Sequence, residues 1–439
     1  MRTSRIIAAT ILAATCSVPA YADPALKTAV KADYDAYLGA LFTHFHQNPE
    51  LSFLETETAK RMAAELKKAG AEVTTGVGGT GVVGMMRNGA GPTLLLRADM
   101  DGLPMPEKSG LPYASKVMQK GQDGQLYPVA HACGHDTHIT AMIGTARRLA
   151  AMKDRWKGTV VFVVQPAEER LGGAKAMLAD GLYTRFPKPD FAVAFHVDAD
   201  SPTGTITAPD GLHSASADSI DIMVPGIGTH GASAHMGKDP VYIASQIVVA
   251  LQSIASREIG PLEPGVVTVG AFHSGTKHNI ISDRADLQLT VRANNEKTRA
   301  QIIAAVERIA KGVARTNGMP EDRLPVVKVS EGTPTTINDA KLAQQLNAAF
   351  RRDLGNVLLP YEQTGMGAED FAYFVQPEHG VPGFYFNVGG TPKAAFDAQK
   401  AGGPAVPTHH SPLFKIAPEP SITLGTAAMV TAALELLKP

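Results

Sequence analysis

Hydrophobic positions recur along this chain in two rhythms. From about Leu26 to Phe45, and again from Glu55 to Lys68, their spacing predicts amphipathic helices, the second stopping at Gly70. Elsewhere they form short, nearly unbroken runs: GVVGMM (81–86), TLLLRA (93–98), TVVFVV (159–164), FAVAFH (191–196) and GFYFNV (383–388). Such runs suit strands buried on both faces, and hence a largely parallel sheet between layers of helices. Between about His213 and Val329 the rhythm changes to strand (DSIDIMV), helix (239–257), strand (VVTVGAF), strand (ADLQLTV), helix (296–316) and strand (LPVVKVS). This βαββαβ order is the ferredoxin-like plan, which closes as a unit by itself. The outer sheet is expected to resume after Pro334.

The expected fold class is therefore α/β. A mostly parallel-sheet domain sandwiched by helices is built from 23–212 and 330–439, with a ferredoxin-like unit inserted at 213–329. The 439 residues exceed what one core normally supports, which agrees with two domains.

The first residues change the compartment. Arg2 and Arg5 precede an apolar run from Ile6 to about Thr15, and Ala20-Tyr21-Ala22 has the form of a signal-peptidase site. Residues 1–22 read as a signal peptide cut after Ala22, because the run is well short of the roughly 20 residues that span a bilayer. A lipoprotein signal ending at Cys16 ranks second, since Thr15 is a poor residue before a lipidated cysteine. The mature protein is expected in the periplasm or outside the cell, with no membrane attachment after cleavage. Of the two cysteines only Cys133 then remains, so no disulfide can form within the chain. A formal net charge of -1 and the lack of a basic block argue against nucleic acid as a partner.

Chemistry gathers in VAHACGHDTH (129–138), which packs His131, Cys133, His135, Asp136 and His138 into ten positions. Three predicted strands add to it at their carboxyl ends: TLLLRADMD delivers Asp99 and Asp101, TVVFVVQPAEE delivers Glu168 and Glu169, and FAVAFH delivers His196. Open parallel sheets bind ligands at that rim. Any one of these residues alone reads as a cap or a solvated charge, but all three strands aim at the same place. Thiolate, imidazole and carboxylate together suit Zn, Co, Ni or Mn better than Ca or Mg. One Cys, three His and one Glu are too many for one tetrahedral ion. Two divalent ions about 3.5–4 Å apart would account for the surplus.

Seven segments, in order, carry a family resemblance: RADMDGLP, HACGHDTH, FVVQPAEERLGGAKAML, GTHGASAHMGKDP, NIISDRADLQLTVRA, MGAEDFAYF and HHSPLF. Together they resemble metallopeptidase family M20, in the branch of aminoacylases and amidohydrolases that includes hippurate hydrolases and auxin-conjugate hydrolases. The likeness spans nearly the whole mature chain. It implies that Cys133, His135, Glu169, His196 and His410 hold two metal ions, with Glu168 as general base and Asp99 orienting the ligands from behind. His410 is preferred to His409 because it directly precedes SPLF. Asp101, His131 and His138 are read as structural, or as supporting the ligands from behind.

The inserted unit resembles the family's lid. By that resemblance His230 reaches the oxyanion that develops on the substrate, in some relatives from a partner subunit, so a homodimer through the lid is implied. Asn279 and Arg292 match positions that hold the substrate's carbonyl or carboxylate, and an Arg fork suits a carboxylate. Ala234 stands where proline usually precedes His235, Ser282 where proline usually follows N-x-I, and VDAD after His196 lacks the usual proline. These departures lie in loops that shape the pocket, so they bear on the substrate more than on the reaction.

The expected activity is metal-dependent hydrolysis of the amide bond in N-acyl amino acids or small peptides, with a dipeptidase or carboxypeptidase as the near alternative. Two readings of other kinds are weaker. A thiol hydrolase built on Cys133 leaves Glu168, Glu169, His196 and His410 unexplained. A periplasmic solute-binding protein has no use for paired glutamates at a strand end.

Overall fold

A computed structural model describes residues 23–439, and the expected signal peptide lies outside the described residues. An eight-stranded sheet runs in the spatial order Glu72–Val77, Gly81–Asn88, Gly158–Gln165, Thr93–Asp99, Phe191–Pro202, Gly383–Thr391, Ile206–Thr207 and Leu358–Leu359. The central pairings, from Gly158–Gln165 across to Gly383–Thr391, are all parallel. Alternate residues of one strand enter two cores: Val160, Phe162 and Val164 face one, Val161 and Val163 the other. Burial on both faces is what makes the apolar runs continuous.

The GVVGMM strand corrects a detail of the sequence reading. Gly81–Asn88 is buried like its parallel neighbours, yet it pairs antiparallel with the strands on both sides. A continuous apolar run reports two covered faces and carries no information about direction. A tight turn through Gly78 (φ 67°) and Gly79 (φ 107°) joins it to Glu72–Val77 as a hairpin, which forces the reversal.

The larger core lies under the helices Thr56–Lys68, His135–Ala151, Ala340–Leu354 and Pro418–Leu436, and under the continuous helical stretch from Pro24 to Gln47, which a π-turn at Tyr34–Leu38 interrupts. Gly173–Ala179 and Leu182–Arg185 cover the opposite face. Among the described residues no helix is long and apolar enough to cross a membrane.

The second sheet has the antiparallel order Gly265–Ser274, Arg284–Ala293, Ser216–Pro225 and Val326–Thr333, which is 2-3-1-4 in chain order. The helices Pro240–Ser253 and Glu296–Thr316 pack on it around a separate core that includes Ile220, Ile222, Ile247, Leu287 and Ile302. This is the ferredoxin-like arrangement. Its last strand runs to Thr333, past the expected boundary at Val329, because that strand stays paired with Ser216–Pro225 to its end. Leu212–Ser214 and Thr336–Ile337 pair with each other just outside it, so the chain leaves and re-enters the large sheet side by side.

Candidate active site

The rim at the carboxyl ends of the parallel strands is assembled by abrupt changes of backbone direction. After Gly158–Gln165 the chain turns through Ala167 (φ 50°) and Leu171 (φ 50°), two non-glycine residues in the left-handed region that flank a 3₁₀ turn at Glu168–Arg170. Such backbone is costly and survives where its surroundings hold it. Here Asp101 does the holding: its Oδ1 accepts from the Glu168 N–H and its Oδ2 from the Glu169 N–H, each at 3.1 Å, and Oδ2 also accepts from Ser52 Oγ at 2.7 Å. Asp101 thus anchors the turn that presents both glutamates.

The helix His135–Ala151 begins after Gly134, whose φ is +88°. A Cβ there would lie 2.3 Å from Val197 Cγ1, so glycine lets this helix end reach the strand that carries His196. His410 comes from a distant loop, in left-handed backbone (φ 62°), with its N–H donating to the Ala132 carbonyl at 2.9 Å.

Four segments thereby bring five donors together. Ligand atoms of Cys133, His135 and His196 lie within 4.8 Å of one another, and so do those of Cys133, Glu169 and His410. The imidazoles are oriented for coordination. His135 Nδ1–H donates to the Asp101 carbonyl at 2.9 Å and His196 Nδ1–H to the Val197 carbonyl at 2.6 Å, which leaves both Nε2 lone pairs facing the cluster. His135 Nε2 and Glu169 Oε1 are buried and have no hydrogen-bond partner. Orphaned polar atoms of this kind are expensive unless something else meets them, and a cation does. Burial disfavours a charged His135, but Asp99, Asp101 and Glu169 outweigh it and lift its pKa to about 10, so that a proton and a metal ion compete for the Nε2 lone pair. The pocket attracts positive charge, and its donors are those of a borderline divalent metal.

The other histidines sort themselves by their bonds. His138 is fully engaged: Nδ1 meets Asp99 Oδ1 at 2.5 Å, and Nε2 accepts from the Val197 N–H at 2.8 Å. His409 Nε2 accepts from the Ala199 N–H at 3.1 Å, whereas His410 Nε2 stands 3.4 Å from Glu169 Oε2. Of the doublet it is His410 that joins the cluster. His131 is buried with both ring nitrogens unpartnered.

Behind the donors lies a network that sequence reasoning missed. Arg97, fully buried, donates to Asp99 Oδ2 (2.6 Å), Glu369 Oε1 (2.7 Å), Asp370 Oδ1 (3.2 Å) and Gln165 Oε1 (2.8 Å), and the Tyr385 hydroxyl donates to Glu369. Asp99 stays ionised because Arg97 overcomes the cost of burial and holds its pKa well below the usual range. Asp99 therefore stands behind the donors, with His138 and Arg97 fixing it. The signal for this network was present as an arginine inside an apolar strand, TLLLRAD. Glu168 is placed differently. Carboxylate atoms of Glu168, Glu369 and Asp370 lie within 4.8 Å of one another, and burial, then Glu369 and Glu169, push the Glu168 carboxyl well above its ordinary pKa. A carboxylate with raised affinity for a proton, open to a cavity, is suited to general base work.

That cavity, of about 600 Å³, is lined by Cys133, Glu168, Glu169, His196 and His410 together with Arg292 from the inserted sheet. His230 and Asn279 do not line it. They sit side by side on an exposed edge of the inserted unit, where Thr229–His230 pairs with Ile280–Ile281 and the Gly231 N–H donates to the Asn279 carbonyl. Within one chain in this conformation the cavity and these two residues are apart, because the short ribbon that carries them extends beyond the ends of the two central strands of the second sheet.

Comparison with known proteins bears on this arrangement. The profile of "Peptidase family M20/M25/M40" matches residues 95–400. A thermostable carboxypeptidase of Saccharolobus solfataricus is 38% identical over 350 residues, covering 78% of this chain and 83% of its own. A hippurate hydrolase of Campylobacter jejuni is 37% identical over 335 residues, covering 75% and 83%. Among solved structures, a Bacillus subtilis dinuclear metal-binding peptidase of the M20 family superposes with a TM-score of 0.72 at 30% identity, over 94% of this chain and 99% of that one.

Proposed function

Because the chain belongs to peptidase family M20/M25/M40, we propose that it is an exported metal-dependent amidohydrolase that removes the acyl group from N-acyl amino acids or small peptides, with Glu168 as general base. The observation that carries this reading is the convergence of five metal donors, two of them with orphaned buried atoms, beside a glutamate that opens onto the same cavity. Cys133, His135, Glu169, His196 and His410 would hold two divalent ions, of Zn, Mn, Co or Ni. Bound there, such ions supply Lewis acidity that makes water a nucleophile at neutral pH.

The remaining work falls to the chain. Glu168 takes the proton of the attacking water and returns it to the leaving amine nitrogen, which needs the high proton affinity its surroundings give it. Asp101 keeps the turn from relaxing, and Arg97 holds Asp99 behind His135. Arg292 takes the free carboxylate of the amino-acid half. His230 and Asn279 reach the scissile carbonyl when the inserted unit closes, or from the second copy in a homodimer formed through that unit. Cys133 is no nucleophile in this reading. Burial, then Glu169 and Glu168, push its thiol well above the usual range, so a thiolate is favoured only beside a metal ion.

The carboxypeptidase relative favours a second reading, cleavage of small peptides at the carboxyl end. Both readings share an amide bond next to an amino acid with a free carboxylate. The test is hydrolysis of N-acyl amino acids and dipeptides by protein stripped with a chelator and then reconstituted. No activity is expected without metal, and full activity at two equivalents. Full activity with a single tightly bound ion would overturn the binuclear reading.

A further inference from the structure

His213 and Asn387 are neither metal donors nor part of the glutamate pair, yet both line the cavity. His213 lies on Leu212–Ser214, where the chain passes into the inserted unit. Its ring stacks on Tyr361, with centroids 5.8 Å apart, and meets Tyr385 edge-on at 4.7 Å. Burial pushes its pKa down to about 3, so the ring is neutral. Its Nε2 lies 3.1 Å from Asn387 Oδ1, an atom that only accepts, so Nε2 carries the proton. Nδ1 then accepts from Ser214 Oγ–H at 2.8 Å.

This locks the amide of Asn387. With its oxygen held by His213, the Nδ2 group is left with two N–H donors, and among the described residues no protein acceptor meets them. Asn387 is half-buried on Gly383–Thr391, opposite His196 in the parallel pairing with Phe191–Pro202. Arg292 lines the same cavity and, among the described residues, makes no ion pair. Guanidinium and amide together offer only donors. Neither group can accept a proton from a substrate ammonium, whereas an anion with several lone pairs can be met by both.

Resting on the hydrolase reading above, we propose that Asn387 is a substrate-anchoring residue: its amide N–H groups, oriented by His213, act with Arg292 to hold the carboxylate of the amino-acid half of the substrate. Asn387 is thereby a determinant of specificity for substrates that end in a free carboxylate.

The experiment compares an N-benzoyl amino acid with its decarboxylated counterpart, the N-benzoyl amine, on metal-loaded protein. Asn387→Leu is expected to raise KM for the acid by about tenfold or more, the scale of a hydrogen bond to a charged group, with kcat and metal content little changed. Asn387→Asp, of equal size but negative at neutral pH, should bind the acid more weakly still. Neither should alter handling of the amine. His213→Phe, which frees the amide to turn, should give a smaller rise in KM and add nothing to Asn387→Leu when the two are combined.

A KM for the acid within about twofold of the unaltered protein in both Asn387 variants, well inside the loss such a bond implies, would overturn the proposal. Equal losses on acid and amine would also overturn it, and would place Asn387 at the scissile carbonyl instead. Should the unaltered protein hydrolyse neither compound, the hydrolase reading fails on its own. Calorimetric titration of the acid into the metal-loaded protein then decides the anchor, which stands if Asn387→Leu weakens Kd about tenfold and falls if Kd is unchanged.

Discussion

The rim of the large sheet and the inserted sheet are built from opposite electrostatic rules. On the inserted sheet one face packs on two helices and the other is polar. Charges of the inserted unit pair at its surface, as in Arg284 with Asp286 on the sheet or Arg315 with Glu321 at a helix end. At the rim, Asp99, Asp101, Glu168, Glu369 and Asp370 are all buried, and Arg97 is the one fully buried arginine among the described residues. Self-repulsion of this kind costs stability, and a protein retains it where the charge is used. The inserted unit avoids that cost: Asp218, its one buried carboxylate among the described residues, accepts two bonds of 2.8 Å from Arg299. The rim is organised around cations that the chain does not itself supply.

The largest stability effect expected from a single substitution breaks that contrast directly. Arg97→Met leaves Glu369 and Asp370 buried with no cationic side chain and strips Asp99 of its guanidinium partner, and should cost about 3–5 kcal/mol or prevent folding altogether. Arg284→Ala removes an exposed ion pair, and its melting temperature should match that of the unaltered protein. Comparable losses in the two variants would show that the rim is no more dependent on its charges than the inserted surface.

Catalysis sharpens the comparison further, because each region is assigned one essential group. Glu168→Gln should keep its metal and lose a factor of about 10² or more in kcat, as expected for a general base. Glu169→Gln should lose metal. His230→Ala should lose roughly 10² in kcat with metal and fold intact, the scale for one oxyanion donor. If His230 serves a neighbouring rim, mixing Glu168→Gln with His230→Ala protein recovers part of the activity through hybrid dimers. A mixture as inactive as its components would assign His230 to its own chain, after closure of the inserted unit.

Much of this was legible in the sequence, for reasons that differ between elements. The strands that deliver Asp99, Glu168 and His196 announce themselves because two covered faces leave no room for polar residues. The βαββαβ unit is legible because each of its elements has one wet face. Pro418–Leu436 gave no such signal: it is buried nearly all round, so its apolar residues follow no helical stripe. Ala340–Leu354 was also passed over, although it is amphipathic and Asp339 caps it by accepting from the Leu342 N–H at 2.8 Å. At the site, residue types that bind metal stood out by their crowding. The residues that orient them did not, because Arg97, Glu369, His213 and Asn387 act through partners up to 272 positions away. Only the folded sheet makes them neighbours. The positions of His230 and Asn279 were carried by resemblance alone, and nothing in a single chain's geometry brings them to the cavity.

Near neutral pH the smallest effect concerns the junction between the two regions, where His213 is packed between Tyr361 and Tyr385. Burial holds its folded pKa at about 3, against an ordinary value of 6.5. Below pH 6.5 the unfolded chain takes up a proton at this position and the folded chain does not. Stability from this residue is therefore complete above about pH 6.5 and declines as pH falls toward 3, by at most about 1.4 kcal/mol per pH unit. The opposite sign would hold for a histidine whose folded pKa was raised. His213→Phe cannot titrate, so between pH 7 and pH 4 its melting temperature should fall less steeply than that of the unaltered protein. Parallel curves would mean that the ring is protonated within the fold. Nε2 and Nδ1 would then both carry protons, and the bond that fixes the amide of Asn387 would no longer require the neutral tautomer. That outcome would loosen the link between the junction and the cavity while leaving the donors of the rim untouched.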